Sequence, residues 1–245
     1  MKKLLSLSLT GLALALSLSA SAHADDDSSS ALIAKGQYLA TAGDCGACHT
    51  APAGKPFAGG LSLQTPLGSI YSTNITPSKT AGIGDYSLSD FEKAVRHGVR
   101  KDGANLYPAM PYTSYAKITD EDMKALYAYF MHGVQPVDDK GPQTDLPFPF
   151  NIRLSMAGWN LLFADSEHFT PDSSKSAEWN RGAYLVEGLA HCSTCHTPRN
   201  VLMAEQSDKS LAGASLGTWF APNITSDVHA GIGGWSDKAL TSYLS

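Results

Sequence analysis

The sequence predicts an all-α, loop-rich chain built from two tandem copies of one unit. Three observations predict it. Stretches far apart in the chain repeat each other in the same order. Helix-start and helix-stop signals bracket short segments whose apolar residues fall at helical spacing. The segments between them are long, rich in Gly, Pro, Ser and Thr, and carry no convincing run of alternating strand residues.

The repeat is the strongest of the three. "GQYLATAGDCGACHT" (36–50) lines up with "GAYLVEGLAHCSTCHT" (182–197), with one residue inserted. "NIT" at 74–76 returns at 223–225, and "AGIGDYS" (81–87) returns as "AGIGGWS" (230–236), both 149 positions later. Ordered matches at a nearly constant offset mean one structural unit used twice.

In chain order, residues 1–24 have the grammar of a cleaved secretory leader. "MKK" gives a positive start, "LLSLSLTGLALALSLS" a short apolar run, and Ala22 and Ala24 the small residues of a cleavage site. A membrane span needs about 20 apolar residues, and "LSMAGWNLLFA" (154–164), the best later candidate, is short and broken by Ser155, Gly158 and Asn160. The expectation is an exported chain.

The first unit spans 30–134. "ALIAKGQYLATAG" predicts a helix leading into the first cysteine. "SLSDFEKAVRHG" carries a capping box, Ser87 with Asp90, then Leu88, Phe91 and Val95 on one face and Gly98 as the stop. "TDEDMKALYAYFMHG" repeats the pattern with Thr119 and Asp122, a first turn rich in acids, and apolar Met123, Leu126, Tyr127 and Phe130. Loops as long as those between these helices rarely fold around nothing, so a bulky apolar group is expected inside the unit. Residues 135–175 form a proline-rich linker whose second part, "IRLSMAGWNLLFADSEHF", is apolar enough to pack on both neighbours. The second unit, 176–245, is incomplete: the counterpart of 97–133 falls beyond residue 245, and the sequence reads as a fragment.

The charge balance narrows the partners. Eighteen Lys and Arg against 23 Asp and Glu give a formal net charge of −5, more acidic still once Lys2 and Lys3 leave with the leader. No basic cluster exists, which argues against a nucleic-acid partner.

All four cysteines lie in the repeated motif: Cys45 and Cys48, then Cys192 and Cys195, each pair followed at once by a histidine, His49 and His196. A redox dithiol would follow a strand in a thioredoxin-like unit, and no strand pattern precedes either copy. A zinc site needs four ligands, and tandem copies of one fold would hold their cysteines apart. A haem of the c type uses both thiols as thioether links and the adjacent imidazole as axial ligand, which accounts for every residue of the motif. Two covalent haem c groups follow.

For the sixth ligand of the first iron, "NLYPAMPY" places Met110 between Pro108 and Pro111, in a loop that two prolines stiffen. Met123 and Met131 read as helix filler, and His97, the competing candidate, as a solvated residue. His/Met ligation raises the potential and fills both axial positions, which suits electron transfer rather than chemistry on a ligand. The second unit has no counterpart of Met110. Met203 follows His196 too closely, and His191 and His229 match no ligand of the first unit. The alternative reading is therefore a dihaem peroxidase-like enzyme with an open second iron.

With these motifs in place, the chain resembles the multihaem cytochrome c subunits of membrane-bound bacterial dehydrogenases acting on alcohols, gluconate, sorbitol or fructose. The stretches that carry the resemblance are "CGACHTAPAGKPFAGG", "HGVRKDGANLYPAMPY", "LPFPFNIRLSMAGWNLLF", "RGAYLVEGLAHCSTCHTPRN" and "APNIT". The resemblance implies tandem class I cytochrome c domains, each wrapped around a covalently bound haem c. It assigns Cys45, Cys48, His49 and Met110 to one haem and Cys192, Cys195 and His196 to the next. It also implies a periplasmic electron-transfer subunit, not itself catalytic, that takes electrons from a dehydrogenase subunit with a flavin or quinone cofactor and passes them to membrane ubiquinone. The family has three haem units, and the third, with the carboxy-terminal membrane-contacting part, is not in this sequence.

Overall fold

The computed structural model describes residues 19–164 and 167–244, so most of the expected leader, residues 1–18, lies outside the described residues. Helix α1 (Ser19–Ala42) runs into a turn at Gly43–Asp44 and then into the short α2 (Cys45–His49). Helix α3 (Leu88–His97) has the predicted capping box: Ser87 Oγ accepts from the Asp90 amide and the Asp90 carboxylate from the Ser87 amide. It stops where Gly98 adopts φ 62°, a left-handed geometry that costs glycine nothing. A single turn, α4 (Tyr112–Tyr115), precedes α5 (Asp120–Ala128), whose cap Thr119 accepts from the Asp122 amide. The predicted helix continues to Gly133, but its last five residues, Tyr129–Gly133, widen into a π turn.

Helix α6 (Ser155–Phe163) lies in the linker. Then come α7 (Ala177–Tyr184), capped by Ser176, a second π turn (Leu185–Leu189), α8 (Ser193–His196) and α9 (Asp237–Leu244).

The fold is helix-rich but not all-α. Strands β1 (Ser62–Thr65) and β2 (Gly68–Tyr71) pair as one antiparallel hairpin, and β3 (Ala214–Leu216) and β4 (Trp219–Ala221) as another. Strands three or four residues long are too short to show an alternating period, and "SLQT" has little apolar content, so no strand pattern is legible there.

The core forms where α1 crosses α5, from Leu39, Phe91, Met123, Ala125, Leu126 and Phe130. Gly36 makes the crossing possible, because a Cβ there would sit 2.0 Å from the Ala125 carbonyl oxygen. Arg96, on the edge of the predicted apolar face of α3, is 2% exposed. It pairs with Glu92 and reaches the Ile118 carbonyl (2.5 Å) and Asp120 (2.8 Å), tying α3 to the start of α5.

The linker is not a free tether. Its first part is strapped across the first half: Asn74 Nδ2 donates to the Val137 carbonyl (2.7 Å), and the Val137 amide donates to Thr76 Oγ1 (3.1 Å). Ser78 Oγ donates to Asp138 (2.6 Å) and the Tyr71 amide to Thr144 Oγ1 (2.9 Å). Its second part does touch both neighbours. Asn160 accepts from the Tyr112 hydroxyl (2.7 Å), and Trp159 Nε1 donates to the Leu202 carbonyl (2.8 Å). No described helix is long and apolar enough to cross a membrane.

Candidate cofactor-attachment site

Helix α2 places Cys45 and Cys48 a turn apart and His49 next to the second, so both thiols and the imidazole share a face. Cys45, Cys48 and His49 are all half-buried, and no disulfide joins the cysteines. His49 Nδ1 lies 2.6 Å from the Thr73 carbonyl oxygen. A carbonyl only accepts, so Nδ1 carries the proton and Nε2 keeps its lone pair for a metal. Burial lowers the His49 pKa despite that hydrogen bond, which favours the neutral, ligating form.

The second motif repeats this bond for bond. Cys192 caps α8, which carries Cys195 and His196, and His196 Nδ1 lies 2.7 Å from the Pro222 carbonyl oxygen. The His49 carbonyl accepts from the Gly59 amide and the His196 carbonyl from the Gly213 amide, each at 2.7 Å. Cys192 and His196 are half-buried, and Cys195 is exposed.

Two further pairs were visible as repeats but received no role from the sequence. Thr50 Oγ1 accepts from the Phe57 amide (3.1 Å), and Thr197 Oγ1 from the Leu211 amide (3.0 Å). Asn74 Oδ1 accepts from both the amide (2.9 Å) and the hydroxyl (2.7 Å) of Thr76, as Asn223 does from Thr225 (2.8 and 2.7 Å). These bonds shape the loops that hold the carbonyl facing each histidine. The signal was the identical spelling, "CHT" and "NIT", in both halves.

Met110 is half-buried and packs on the same apolar cluster as Cys45, with Phe57, Ile75, Ile83 and Val95 also against it. His97 is exposed at the end of α3. Met203 adopts φ 64° in an exposed turn whose carbonyl accepts from Arg199 (2.7 Å).

Burial, then the Asp44 carboxylate, pushes the Cys45 thiol up to about 12, and burial raises Cys48, Cys192 and Cys195 as well. A redox dithiol needs a lowered thiol pKa, and none is present among these four. Neutral thiols, an imidazole with Nε2 open and an apolar wall with a thioether fit a haem tethered through sulfur. Fold and site together define the c-type cytochrome class.

Residues 33–133 match the family model described as "Cytochrome c". The chain is 55% identical over 214 residues to the fructose dehydrogenase cytochrome subunit of Gluconobacter japonicus, covering 86% of this chain and 44% of that protein. It is 52% identical over 226 residues to the gluconate 2-dehydrogenase cytochrome c subunit of Pantoea cypripedii, covering 89% of this chain and 51% of the relative. A diheme cytochrome c-type protein of Cereibacter sphaeroides is 38% identical over 218 residues, 86% of this chain and 72% of the relative. The chain belongs to the cytochrome c family, and membership implies covalently attached haem c. It spans about half the length of the two dehydrogenase subunits. The comparisons lend no support to the peroxidase-like alternative.

Proposed function

We propose that this chain is a periplasmic electron-transfer subunit carrying two haem c groups, one in each of two tandem class I cytochrome c units, 30–134 and 176–245. The observation that carries the reading is the repeated imidazole geometry: His49 and His196 each donate from Nδ1 to a backbone carbonyl and leave Nε2 free. Cys45 and Cys48 would tether the first haem and Cys192 and Cys195 the second, with His49 and His196 holding the iron through Nε2. A haem bound in this way supplies a one-electron ferric/ferrous couple.

The rest is the work of the polypeptide. The carbonyls of Thr73 and Pro222 fix ring orientation and raise the basicity of the free nitrogen. Met110, stiffened by Pro108 and Pro111 and packed on the apolar cluster beside Cys45, would offer thioether sulfur to the first haem and so favour its reduced state. Phe57, packed edge-on against Phe130 at 5.3 Å, helps keep water out of the first unit.

The donor in this reading is a dehydrogenase subunit with a flavin or quinone cofactor, and the acceptor further along is membrane ubiquinone. Support comes from relatives named as cytochrome subunits of fructose and gluconate dehydrogenases. Export through the cleaved leader 1–24 would bring the chain to the periplasm, where both partners are accessible. Stopped-flow mixing with a reduced dehydrogenase of this class tests the function. Rapid haem reduction is expected, and haem that stays ferric contradicts it.

A further inference from the structure

The two attachment motifs are far apart in sequence, yet one side chain touches the approach to both. Tyr115, at the end of α4, is buried. Its hydroxyl donates a 2.7 Å hydrogen bond to the carbonyl of Gly43, two residues before Cys45. Its ring stands edge-on to His191, the residue before Cys192, with centroids 5.5 Å apart and planes at 75°. His191 holds its ring there from a left-handed backbone, φ 40°, as Asp44 does at the same place in the first motif, φ 53°.

The junction around this side chain is closely packed. A Cβ on Gly43 would come within 3.2 Å of Leu189 Cδ1, and one on Gly188 within 3.2 Å of Lys117 Cβ. Leu189 itself joins the core of the first half. Beyond it, the Tyr184 hydroxyl donates to Asp122 at 2.7 Å, a second buried link between the halves.

We propose that Tyr115 is a positioning residue that fixes the separation of the two attachment motifs by holding Gly43 with its hydroxyl and His191 with its ring. This rests on the haem reading above. Electron exchange falls steeply with separation, so a side chain that sets the spacing sets how well the two groups communicate. Tyr115 needs neither to lose its proton nor to be oxidised in this role.

Two haems held close give a bisignate Soret band in circular dichroism that weakens as they separate or reorient. The holoprotein should show this couplet. Tyr115→Leu, which removes both contacts, should lose it while keeping two covalent haems by pyridine haemochrome assay. Tyr115→Phe, which keeps the ring against His191, should restore part of it. Should Tyr115→Leu fail to fold, His191→Leu removes the same ring contact from the other side and should also weaken the couplet. An unchanged couplet in either leucine variant with both haems retained overturns the proposal, as does wild-type protein with two haems and no couplet. Wild-type protein without covalent haem would instead sink the haem reading itself.

Discussion

The two halves build the same motif in very different surroundings. In both, the histidine donates to a carbonyl, the threonine after it accepts from an amide, and the asparagine of "NIT" caps its own loop. Ser78 Oγ accepts from the Thr80 and Ala81 amides, and Asp227, at the equivalent place, accepts from those of His229 and Ala230. Around the first motif these loops are sealed by α5 and by the strap at 137–144. Around the second, Trp219 and Phe220 of the hairpin stand 78% and 68% exposed. The geometry that prepares the imidazole is therefore local, written in turns and caps. The burial that shields the cofactor is tertiary.

The sharpest way to break this comparison is through the aligned glycines, Gly36 and Gly182. A Cβ on Gly36 collides with the Ala125 backbone at 2.0 Å, whereas one on Gly182 meets nothing within 4 Å. Gly36→Ala should destabilise by about 3 kcal/mol, the upper range for overpacking. Gly182→Ala, inside α7, should be neutral or stabilising by about 0.5–1 kcal/mol from helix propensity. Urea denaturation of the two variants checks both, and equal losses would mean that the second half is packed like the first.

Met110→Ala comes next. Both haems should stay covalently attached, while the weak sulfur-to-iron band at the red end of the spectrum disappears and one potential falls. An unchanged spectrum would remove Met110 from the ligand set, and with it this difference between the halves.

The smallest effect concerns pH. Asp138, clamped by Ser78 and then by Thr80, is held below its ordinary value of 3.8, and Asp227 is lowered by the Ala230 and His229 amides. Because the folded-state pKa is depressed, the stabilisation is present above the ordinary carboxylate value and is lost as pH falls through the lowered one. Acid should therefore loosen the strap of the first half but only a local turn in the second. Hydrogen exchange at the Val137 amide, corrected for intrinsic rate, should accelerate as pH drops below about 4; constant protection would dissociate the strap from Asp138.

What was legible in the sequence follows the same division. Caps and motifs are short-range, so Ser87 with Asp90, Gly98 and the two Cys-Cys-His clusters could be read directly. The hairpins were too short to carry a period. Arg96 was hidden because its partners, Ile118 and Asp120, arrive from 22 and 24 residues away, and a charged residue on a helix edge normally points to solvent. Tyr115 was hidden for the same reason, because Gly43 and His191 reach it from far along the chain. Nothing in the local spelling of "TSYAK" announces a residue that reaches both motifs.

Intact mass spectrometry of the denatured holoprotein tests the central claim most directly. The account predicts a chain heavier by two haem groups that no denaturant removes, with one lost in Cys45→Ala/Cys48→Ala and the other in Cys192→Ala/Cys195→Ala. A mass equal to that of the bare polypeptide would contradict it.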